Sequence, residues 1–356
     1  MARILFSGGG TAGHVTPNIA LIEALSAQGW DCQYVGSRAG IERALISPLA
    51  IRYHAIHSGK LRRYFSWQNF IDPFFVLLGI VQSLWICLRI QPDIVFSKGG
   101  FVAVPVVFSA WLCRIPVISH ESDITPGLAN KLCLPFSRVL CVNFPETIGY
   151  LPASLPPERI RVTGSPLRSG LRNTDASRGR NFLGFGKVKP IVLVVGGSLG
   201  ARALNEAIWA NLPVLLERYQ IVHMVGAGNK QHHADGAYLQ FEYLADEYGD
   251  VLAAADLVVS RAGANSIFEL LSFRKPHLLV PLTAAASRGD QLVNARVMAD
   301  AGMSLVIQES ELNSGTLMRA LANLEDTSQW EDSMESFPDT DAVQAIVDLI
   351  GETARN

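Results

Sequence analysis

The stretch Ile4-Leu5-Phe6-Ser7-Gly8-Gly9-Gly10-Thr11-Ala12-Gly13-His14 decides the fold class of this 356-residue chain. An apolar run, a turn made mostly of glycine and a helical pattern from Pro17 onward are typical of the first strand–turn–helix unit of a nucleotide-type α/β domain. Glycines let backbone N–H groups approach a ligand closely, and the following helix N-terminus favours negative charge. His14 adds an imidazole that is suited to proton transfer. The alternative is that the glycines only permit tight packing of strand and helix.

Four short sequence segments of the first half of the chain have similar counterparts, in the same order, in the second half. The pairs are 4–9 with 192–197, 33–36 with 223–226, 93–100 with 256–263, and 114–118 with 274–279. In both halves, the predicted elements follow one another as strand, glycine loop, helix and strand. We therefore predict an α/β protein with two doubly wound, Rossmann-like parallel-sheet domains, and a ligand cleft where the carboxyl ends of the two sheets face each other.

The domain boundary is expected in the polar segment that separates the two repeats. Residues 151–157 are rich in proline, and residues 169–189 are polar and contain glycine, as linkers do. We predict an N-terminal domain over 1–163 and a C-terminal domain over 164–338. Val343, Ile346, Val347 and Ile350 have helical spacing, so residues 339–356 are expected to form a helix that closes the fold.

Composition narrows the class of protein. Charged residues make up 17% of the chain and hydrophobic residues 49%, which is typical of a globular protein and not of a disordered one. Residues 1–160 carry 13 Lys and Arg against 9 Asp and Glu, a mild basic excess that favours an anionic partner there; we expect no nucleic acid. The five scattered cysteines form no C-x-x-C pair, so we expect reduced thiols in the cytosol and no zinc site. The N-terminal apolar run is too short for a signal peptide.

The stretch from Phe70 to Ile90 is the most apolar part of the chain. Asp72-Pro73 is typical of a helix start, and Pro73 to Leu88 contains no charge. As a helix, the 16 uncharged residues from Pro73 to Leu88 would be about 24 Å long at about 1.5 Å per residue. This is short of the roughly 30 Å needed to cross a bilayer, so a membrane span is not expected. Two alternatives stay open: packing in the core, or docking on an anionic membrane surface. For docking, the candidate side chains are Arg62, Arg63, Phe65, Trp67, Phe74, Phe75, Leu78 and Trp85.

Several polar motifs follow strands of the second repeat. Gly196 to Ala201 forms a second glycine loop whose N–H groups and Ser198 hydroxyl suit a diphosphate, although Ser198 is equally suited to cap the helix. Neither glycine loop has the G-x-x-x-x-G-K-[ST] pattern of an ATPase. In the segment Arg261 to Glu269, the carboxylate of Glu269 is placed to accept two hydroxyls, as a ribose offers.

Together, these motifs resemble glycosyltransferase family 28, and in particular its peptidoglycan N-acetylglucosaminyltransferases, in order and along nearly the whole chain. The resemblance implies a GT-B fold, a UDP-N-acetylglucosamine donor bound by the C-terminal domain, and a lipid-linked muramoyl-pentapeptide acceptor bound by the N-terminal domain. The catalytic candidates are His14 and, as a second choice, Glu121. The donor-binding candidates are Thr11, Ala12, Gly13, Asp123, Arg168, Ser198, Leu244, Ala264, Asn265, Ser266, Glu269, Asp290 and Gln291.

The reaction implied by the resemblance is an inverting transfer of N-acetylglucosamine to the 4-hydroxyl of the muramoyl unit, on the cytoplasmic face of the plasma membrane. His14 would remove the hydroxyl proton. Helix N-termini at Ala201 and Ala264, together with Arg168, would stabilise the departing UDP. The quoted loops carry no Asp-x-Asp triplet, so we expect neither a cofactor nor an essential metal.

This chain departs from the family pattern at three places. Ala12 replaces a glycine, Ser122-Asp123 follows His-Glu where Gln-Asn is usual, and Asp290-Gln291 stands where paired glutamines are usual. Two alternatives to the family reaction therefore stay open. One is a paralogue that transfers a sugar to another lipid or to a secondary metabolite, and the other is a non-catalytic sensor of UDP-sugars.

Overall fold

The chain forms two α/β units in a computed structural model. The structure describes residues 1–38, 40–59, 68–171, 173–186, 188–197, 200–233, 235–284, 287, 289–326, 328–335, 337 and 341–355. The first unit consists of Met1–Arg168 together with Thr340–Asn356, and the second consists of Ser169–Asp339. The boundaries expected from the sequence, after residues 163 and 338, fall close to these divisions.

The first unit contains a seven-stranded sheet in which every adjacent pair of strands is parallel. The strands are β1 (Arg3–Ser7), β2 (Asp31–Ser37), β3 (Arg52–Ile56), β4 (Ile94–Ser97), β5 (Val117–Glu121), β6 (Val139–Val142) and β7 (Ile160–Val162), in the order β3-β2-β1-β4-β5-β6-β7. The helices are α1 (Thr16–Ala27), α2 (Ile41–Ile46), α3 (Gln68–Ile90), α4 (Ala103–Leu112) and α5 (Leu128–Cys133), with the C-terminal α13 (Ala342–Arg355).

The second unit contains a six-stranded sheet, again with parallel pairs throughout. Its strands are β8 (Ile191–Val195), β9 (Gln220–Met224), β10 (Tyr238–Phe241), β11 (Leu257–Ser260), β12 (His277–Leu279) and β13 (Leu305–Val306), in the order β10-β9-β8-β11-β12-β13. The helices are α6 (Ala176–Leu183), α7 (Arg202–Arg218), α8 (Tyr248–Ala254), α9 (Ala264–Ser272), α10 (Asp290–Asp300), α11 (Ser314–Glu325) and α12 (Ser328–Glu335). The predicted pair of doubly wound parallel sheets is confirmed.

Apolar strands buried on both faces explain why each sheet is covered by helices on two sides. In the first unit, Phe6 and Ile4 of β1 face α1 and α13, whereas Leu5 faces the side of α3 and α4. This alternation follows from the two-residue period of a strand. The last helix completes this core, because Val343, Ile346, Val347 and Ile350 are buried beside Leu21, Ile22 and Leu25 of α1.

Helix α3 begins four residues before the expected start at Asp72-Pro73. It runs from Gln68 to Ile90 with Pro73 inside it, so the prediction of a helix start at Asp72 is wrong. A proline has no N–H and is tolerated best in the first turn, yet Pro73 is the sixth residue of this helix. An Asp-Pro pair is also compatible with the interior of a helix near its N-terminal end, so the pair alone does not fix where the helix begins.

Candidate functional site

The two glycine loops follow the strands at which each sheet changes its direction of winding. In the first sheet β1 and β4 are neighbours, with β2 and β3 on one side and β5 to β7 on the other. In the second sheet β8 and β11 are placed in the same way. Ligands of open α/β sheets bind outside the carboxyl ends of the strands at this point. The turns after β1 and β4, and those after β8 and β11, are therefore the candidate ligand sites of the two units.

Close backbone contact fixes the first glycine loop in place. A Cβ atom on Gly100 would lie 2.2 Å from the carbonyl oxygen of Gly9, and Gly100 has a φ of +81° that disfavours other residues. The Tyr34 hydroxyl donates to the Gly8 carbonyl at 2.8 Å. Because Tyr34 is fully buried, burial raises the pKa of its hydroxyl, which stays a donor. These contacts hold the loop against the ends of β2 and β4, and the loop in turn positions Thr11 and His14.

His14 ends the short helical turn Ala12–His14 that follows these glycines. Its Nδ1 atom lies 3.1 Å from the Gly9 carbonyl oxygen and 3.2 Å from the Thr11 hydroxyl. A carbonyl oxygen only accepts, so Nδ1 carries the proton and Nε2 holds the lone pair in the neutral ring. The imidazole is half-buried. This tautomer is the one that a general base needs if Nε2 is to take a proton.

Glu121, the second candidate for the base, has a different environment. Its carboxylate is buried and accepts from the backbone N–H groups of Asp123 at 3.1 Å and Gly127 at 2.9 Å, and from the Asn130 side chain at 2.8 Å. Both oxygens are therefore used to close the loop between β5 and α5. The geometry is that of a group that holds this loop, and with it the half-buried Asp123.

The second unit has an analogous glycine loop between β8 and α7. Gly197 and Gly200 have φ values of +90° and +77°, and a Cβ atom on Gly200 would lie 2.2 Å from the Val225 carbonyl oxygen. The loop therefore passes directly over the end of β9 and needs glycine there. The predicted phosphate ligand Ser198 lies outside the described residues. Helix α7 begins at Arg202 after Ala201, and its N-terminal N–H groups are suited to an anion.

Helix α9 begins at Ala264, directly after the turn that follows β11. Asn265 and Ser266 are half-buried in its first turn. Glu269 is half-buried as well, and its Oε2 atom accepts from the Tyr248 hydroxyl at 3.2 Å. Tyr248 thus orients the carboxylate that was predicted to bind a ribose, and the sequence did not reveal this partner. Leu244 is buried, in the segment between β10 and α8.

The start of helix α10 is linked to the same turn. Asn294 is fully buried, and its side-chain amide donates to the Ala262 carbonyl at 3.2 Å. The Gln291 side chain accepts from the Leu282 backbone N–H at 3.0 Å, so it ties α10 to the segment after β12. Asp290 is the first residue of α10 and is half-buried. The structure thus brings Ala264, Asp290 and Gln291 to one edge of the second sheet.

One predicted site residue, Arg168, and one further motif of the sequence remain. Arg168, predicted to bind the donor and stabilise the departing UDP, is half-buried and is the last residue of the first unit before Ser169. The sequence also contains one Asp-x-Asp triplet, Asp339 to Asp341, outside the quoted loops. Asp341 accepts from the backbone N–H groups of Val343 and Gln344, each at 3.1 Å, so this carboxylate caps helix α13.

The residues predicted to dock on a membrane divide into two groups. Arg62, Arg63, Phe65 and Trp67 lie outside the described residues. Phe74 and Trp85 on α3 are 65% and 58% exposed. Phe75 and Leu78 are half-buried, and Phe75 stacks on His57 with 5.7 Å between ring centroids. One face of α3 is therefore apolar and open, and the opposite face packs on the unit.

Comparison with known proteins identifies both halves of the chain. Residues 4–139 match the glycosyltransferase family 28 N-terminal domain, and residues 191–350 match the glycosyltransferase family 28 C-terminal domain. The chain is similar to a UDP-N-acetylglucosamine–N-acetylmuramyl-(pentapeptide) pyrophosphoryl-undecaprenol N-acetylglucosamine transferase of Lachnoclostridium phytofermentans, with 49% identity over 99% of both chains. A protein of the same name from Geobacillus thermodenitrificans is 47% identical over 99% of both chains.

Solved structures agree with this result. The crystal structure of Acinetobacter baumannii MurG superposes with a TM-score of 0.78 and 25% identity, covering 99% of this chain and 100% of that one. The two family domains together span most of the chain, and the glycine loops at the two switch points lie within them. The chain belongs to glycosyltransferase family 28 and has the GT-B fold.

Proposed function

We propose that this chain transfers N-acetylglucosamine from UDP-N-acetylglucosamine to the 4-hydroxyl of a muramoyl-pentapeptide linked to undecaprenyl diphosphate. The observation that carries the proposal is the 49% identity over 99% of both chains with a transferase named for this reaction. A paralogue that uses another acceptor, or a sensor, is not favoured by a match of this extent. The geometry of the candidate residues is compatible with the chemistry of the transfer.

In the proposed reaction, Nε2 of His14 removes the proton of the acceptor hydroxyl while that oxygen attacks C1 of the sugar. The bond from C1 to the β-phosphate oxygen breaks, and UDP leaves with the negative charge. The Gly9 carbonyl and the Thr11 hydroxyl hold the Nδ1–H tautomer that this step requires. A single displacement inverts the configuration at C1.

We propose that the second unit binds the donor. The N-termini of α7 and α9 supply backbone N–H groups and a positive helix end for the diphosphate. Glu269, oriented by Tyr248, accepts the ribose hydroxyls. Asp290 and Gln291 contact the sugar, and Arg168 and Leu244 lie near the base. No cofactor or essential metal is included in this proposal, since the helix ends and Arg168 provide the charge that the leaving group needs.

The test is direct transfer with defined substrates. The full-length protein is incubated with labelled UDP-N-acetylglucosamine, with other UDP-sugars, and with lipid-linked muramoyl-pentapeptide or a diacylglycerol acceptor. We expect one product, N-acetylglucosamine on the muramoyl acceptor. Transfer to the diacylglycerol alone would contradict the acceptor, and tight UDP binding without any transfer would contradict the activity.

We further propose that the first unit docks on the cytoplasmic face of the plasma membrane through helix α3. Five apolar side chains on this helix are 58% to 65% exposed: Phe74, Leu77, Val81, Trp85 and Leu88. Their spacing of three or four residues makes one stripe along the helix. Such an open apolar stripe is suited to lie at the boundary between headgroups and acyl chains.

Basic residues at the end of this stripe support an anionic surface as the partner. A cavity of about 350 Å³ beside Trp85 is lined by three arginines and one carboxylate, namely Arg3, Arg52, Arg89 and Asp31, so its lining is basic on balance. The guanidinium of Arg89 lies 5.0 Å from the centre of the Trp85 ring. Arginine and tryptophan are favoured where an apolar surface meets lipid headgroups.

The mode of membrane contact is inferred from how α3 packs. Residues Asp72–Ile90 are long and apolar enough to cross a membrane, with a mean hydropathy of 1.9. However, a Cβ atom on Gly79 would lie 2.2 Å from the His57 carbonyl oxygen, and Ile86 and Cys87 are buried in the core. A helix held by the unit along one face is proposed to lie on the surface and not to span it.

Vesicle binding tests this proposal. We expect the protein to sediment with phosphatidylglycerol vesicles more than with phosphatidylcholine vesicles, and less in high salt. Val81→Ser combined with Trp85→Gln should reduce binding at least fivefold. Val188→Ser, at an equally apolar but unrelated position that is 88% exposed, is the matched control. Unchanged binding by the double variant would contradict docking through α3.

A further inference from the structure

Lys98 is a buried lysine at the centre of the first unit's candidate site. It follows β4 directly, and its side chain is 1% exposed. Its backbone N–H donates to the Ser7 carbonyl at 2.8 Å. A Cβ atom on Gly8 would lie 3.2 Å from the Cβ of Lys98. The lysine therefore packs against the base of the first glycine loop, which carries His14.

The amine of Lys98 links this turn to the end of β5. Its Nζ atom lies 2.5 Å from Nδ1 of His120 and donates to the Ser122 hydroxyl at 2.7 Å. Nε2 of His120 lies 3.0 Å from the Gly164 carbonyl oxygen. Since a carbonyl only accepts, Nε2 carries the proton and Nδ1 accepts from the amine of Lys98. A continuous chain of hydrogen bonds thus runs from Lys98 through His120 to Gly164.

Burial and the neighbouring groups have opposite effects on the pKa of Lys98. Burial lowers the pKa of the amine to about 7, although Glu121, Asp123 and Cys141 raise it. Burial and the nearby amine of Lys98 lower the pKa of His120 well below its usual value, so this ring is neutral. Burial of this amine costs desolvation free energy, which its hydrogen bonds to His120 and Ser122 offset. The lysine therefore holds His120 and Ser122 at defined positions beside the turn after β4.

We propose that Lys98 is a positioning residue for the transfer, which through His120 and Ser122 fixes the turn after β4 relative to the segments 121–127 and 164–168. This inference rests on the proposed function. The first segment carries Asp123 and the second carries Arg168, both predicted to contact the donor. The turn after β4 supports Gly9, whose carbonyl orients His14. A displacement of about 1 Å at such positions is enough to cost about 100-fold in rate.

Replacement of Lys98 by methionine tests the proposal, because methionine keeps the volume and removes the amine. We expect kcat/KM for the transfer to fall at least 30-fold, and Tm to fall as well because Nδ1 of His120 and the Ser122 hydroxyl lose a buried partner. Lys275→Met is the matched control. This partly buried lysine donates to the carbonyls of Ala253 and Ala255 at the amino end of the second sheet, and its loss should change kcat/KM less than twofold. A Lys98→Met variant within threefold of the wild type would overturn the proposal.

The pH profile separates positioning from a purely structural effect. In the wild type, the ammonium form makes the stronger hydrogen bonds to His120 and Ser122 and balances the charges of Glu121 and Asp123. We therefore expect kcat/KM to fall as pH rises through about 7. This alkaline limb should be absent in Lys98→Met. A limb that is equal in both proteins would contradict the role of Lys98.

Two further measurements cover the case in which Lys98→Met does not fold or the wild type forms no product. Ser122→Ala removes one hydrogen bond with little change in volume, and kcat/KM should fall at least threefold; an unchanged value would overturn the proposal. Nitrogen-15 NMR of the histidine rings is independent of activity. We expect His120 in the wild type to be a neutral Nε2–H tautomer, and a protonated ring or an Nδ1–H tautomer would contradict the arrangement. Absence of product with this tautomer present would instead contradict the proposed function.

Discussion

Nδ1 of His14 lies 3.1 Å from the carbonyl oxygen of Gly9. The hydrogen bond assigns the proton to Nδ1 and the lone pair to Nε2, and it joins the glycine loop to the only titratable side chain of that loop. We expect His14→Ala to lower kcat by about 10² to 10⁴, the usual contribution of a general base. Steady-state kinetics with UDP binding as the control would measure it. A variant with near-normal turnover would show that His14 is not the base.

Glu121 is expected to behave as a structural group and not as a base. Glu121→Gln replaces one acceptor oxygen by an NH₂ group that faces N–H donors, so at least one buried hydrogen bond is lost. We expect the free energy of unfolding to fall by about 1–3 kcal/mol. Denaturant unfolding measures this loss. A drop in kcat as large as that of His14→Ala, with stability unchanged, would instead favour Glu121 as the base.

The contact between Tyr248 and Glu269 predicts a difference between two donor-site variants. Glu269→Gln removes the charge that strengthens hydrogen bonds to ribose hydroxyls, and we expect KM for UDP-N-acetylglucosamine to rise about tenfold with a smaller effect on kcat. Tyr248→Phe only releases the carboxylate from a 3.2 Å hydrogen bond, so its KM should rise less. Equal KM values for the wild type and Glu269→Gln would contradict the ribose contact.

Two buried histidines of the second unit predict acid destabilisation. Burial lowers the pKa of His223 to about 3 and that of His277 to about 4, from an ordinary value of 6.5. As pH falls from about 6.5 towards 4, the unfolded chain binds protons that the folded chain does not, so the free energy of unfolding decreases.

His277→Asn should reduce this pH dependence, which unfolding curves between pH 7 and pH 4 would measure. The exposed His232 provides the control variant His232→Asn, which should leave the slope unchanged. A wild-type stability that is constant between pH 6.5 and pH 4 would contradict the neutral state of both buried rings.

Removal of divalent cations is expected to leave the transfer active. The helix N-termini before Arg202 and at Ala264, together with Arg168, are proposed to supply the positive charge that the departing UDP requires. Initial rates in EDTA should therefore stay within about twofold of the untreated rates. A loss of tenfold or more that Mg²⁺ restores would contradict the proposal that no metal is essential.

The parallel-sheet class of both units follows from local signals. Apolar runs of four or five residues that end in glycine loops, such as those before Gly8 and Gly196, are sufficient to predict parallel strands with helices between them. The predicted start of α3 at Asp72-Pro73 is wrong, since the helix begins at Gln68. A capping signal is local and does not show whether the residues before it are also helical.

The sequence by itself determined the fold class, the two glycine loops and the family, because glycine positions and apolar periodicity are properties of neighbouring residues. Only the tertiary structure decided the contacts of Glu121 and Lys98. Glu121 is in contact with the N–H groups of the loop after β5, and Lys98 reaches His120, which is 22 residues away in sequence. Hydrogen bonds between the ends of different strands depend on the sheet that brings those ends together, and no local pattern of residues encodes them.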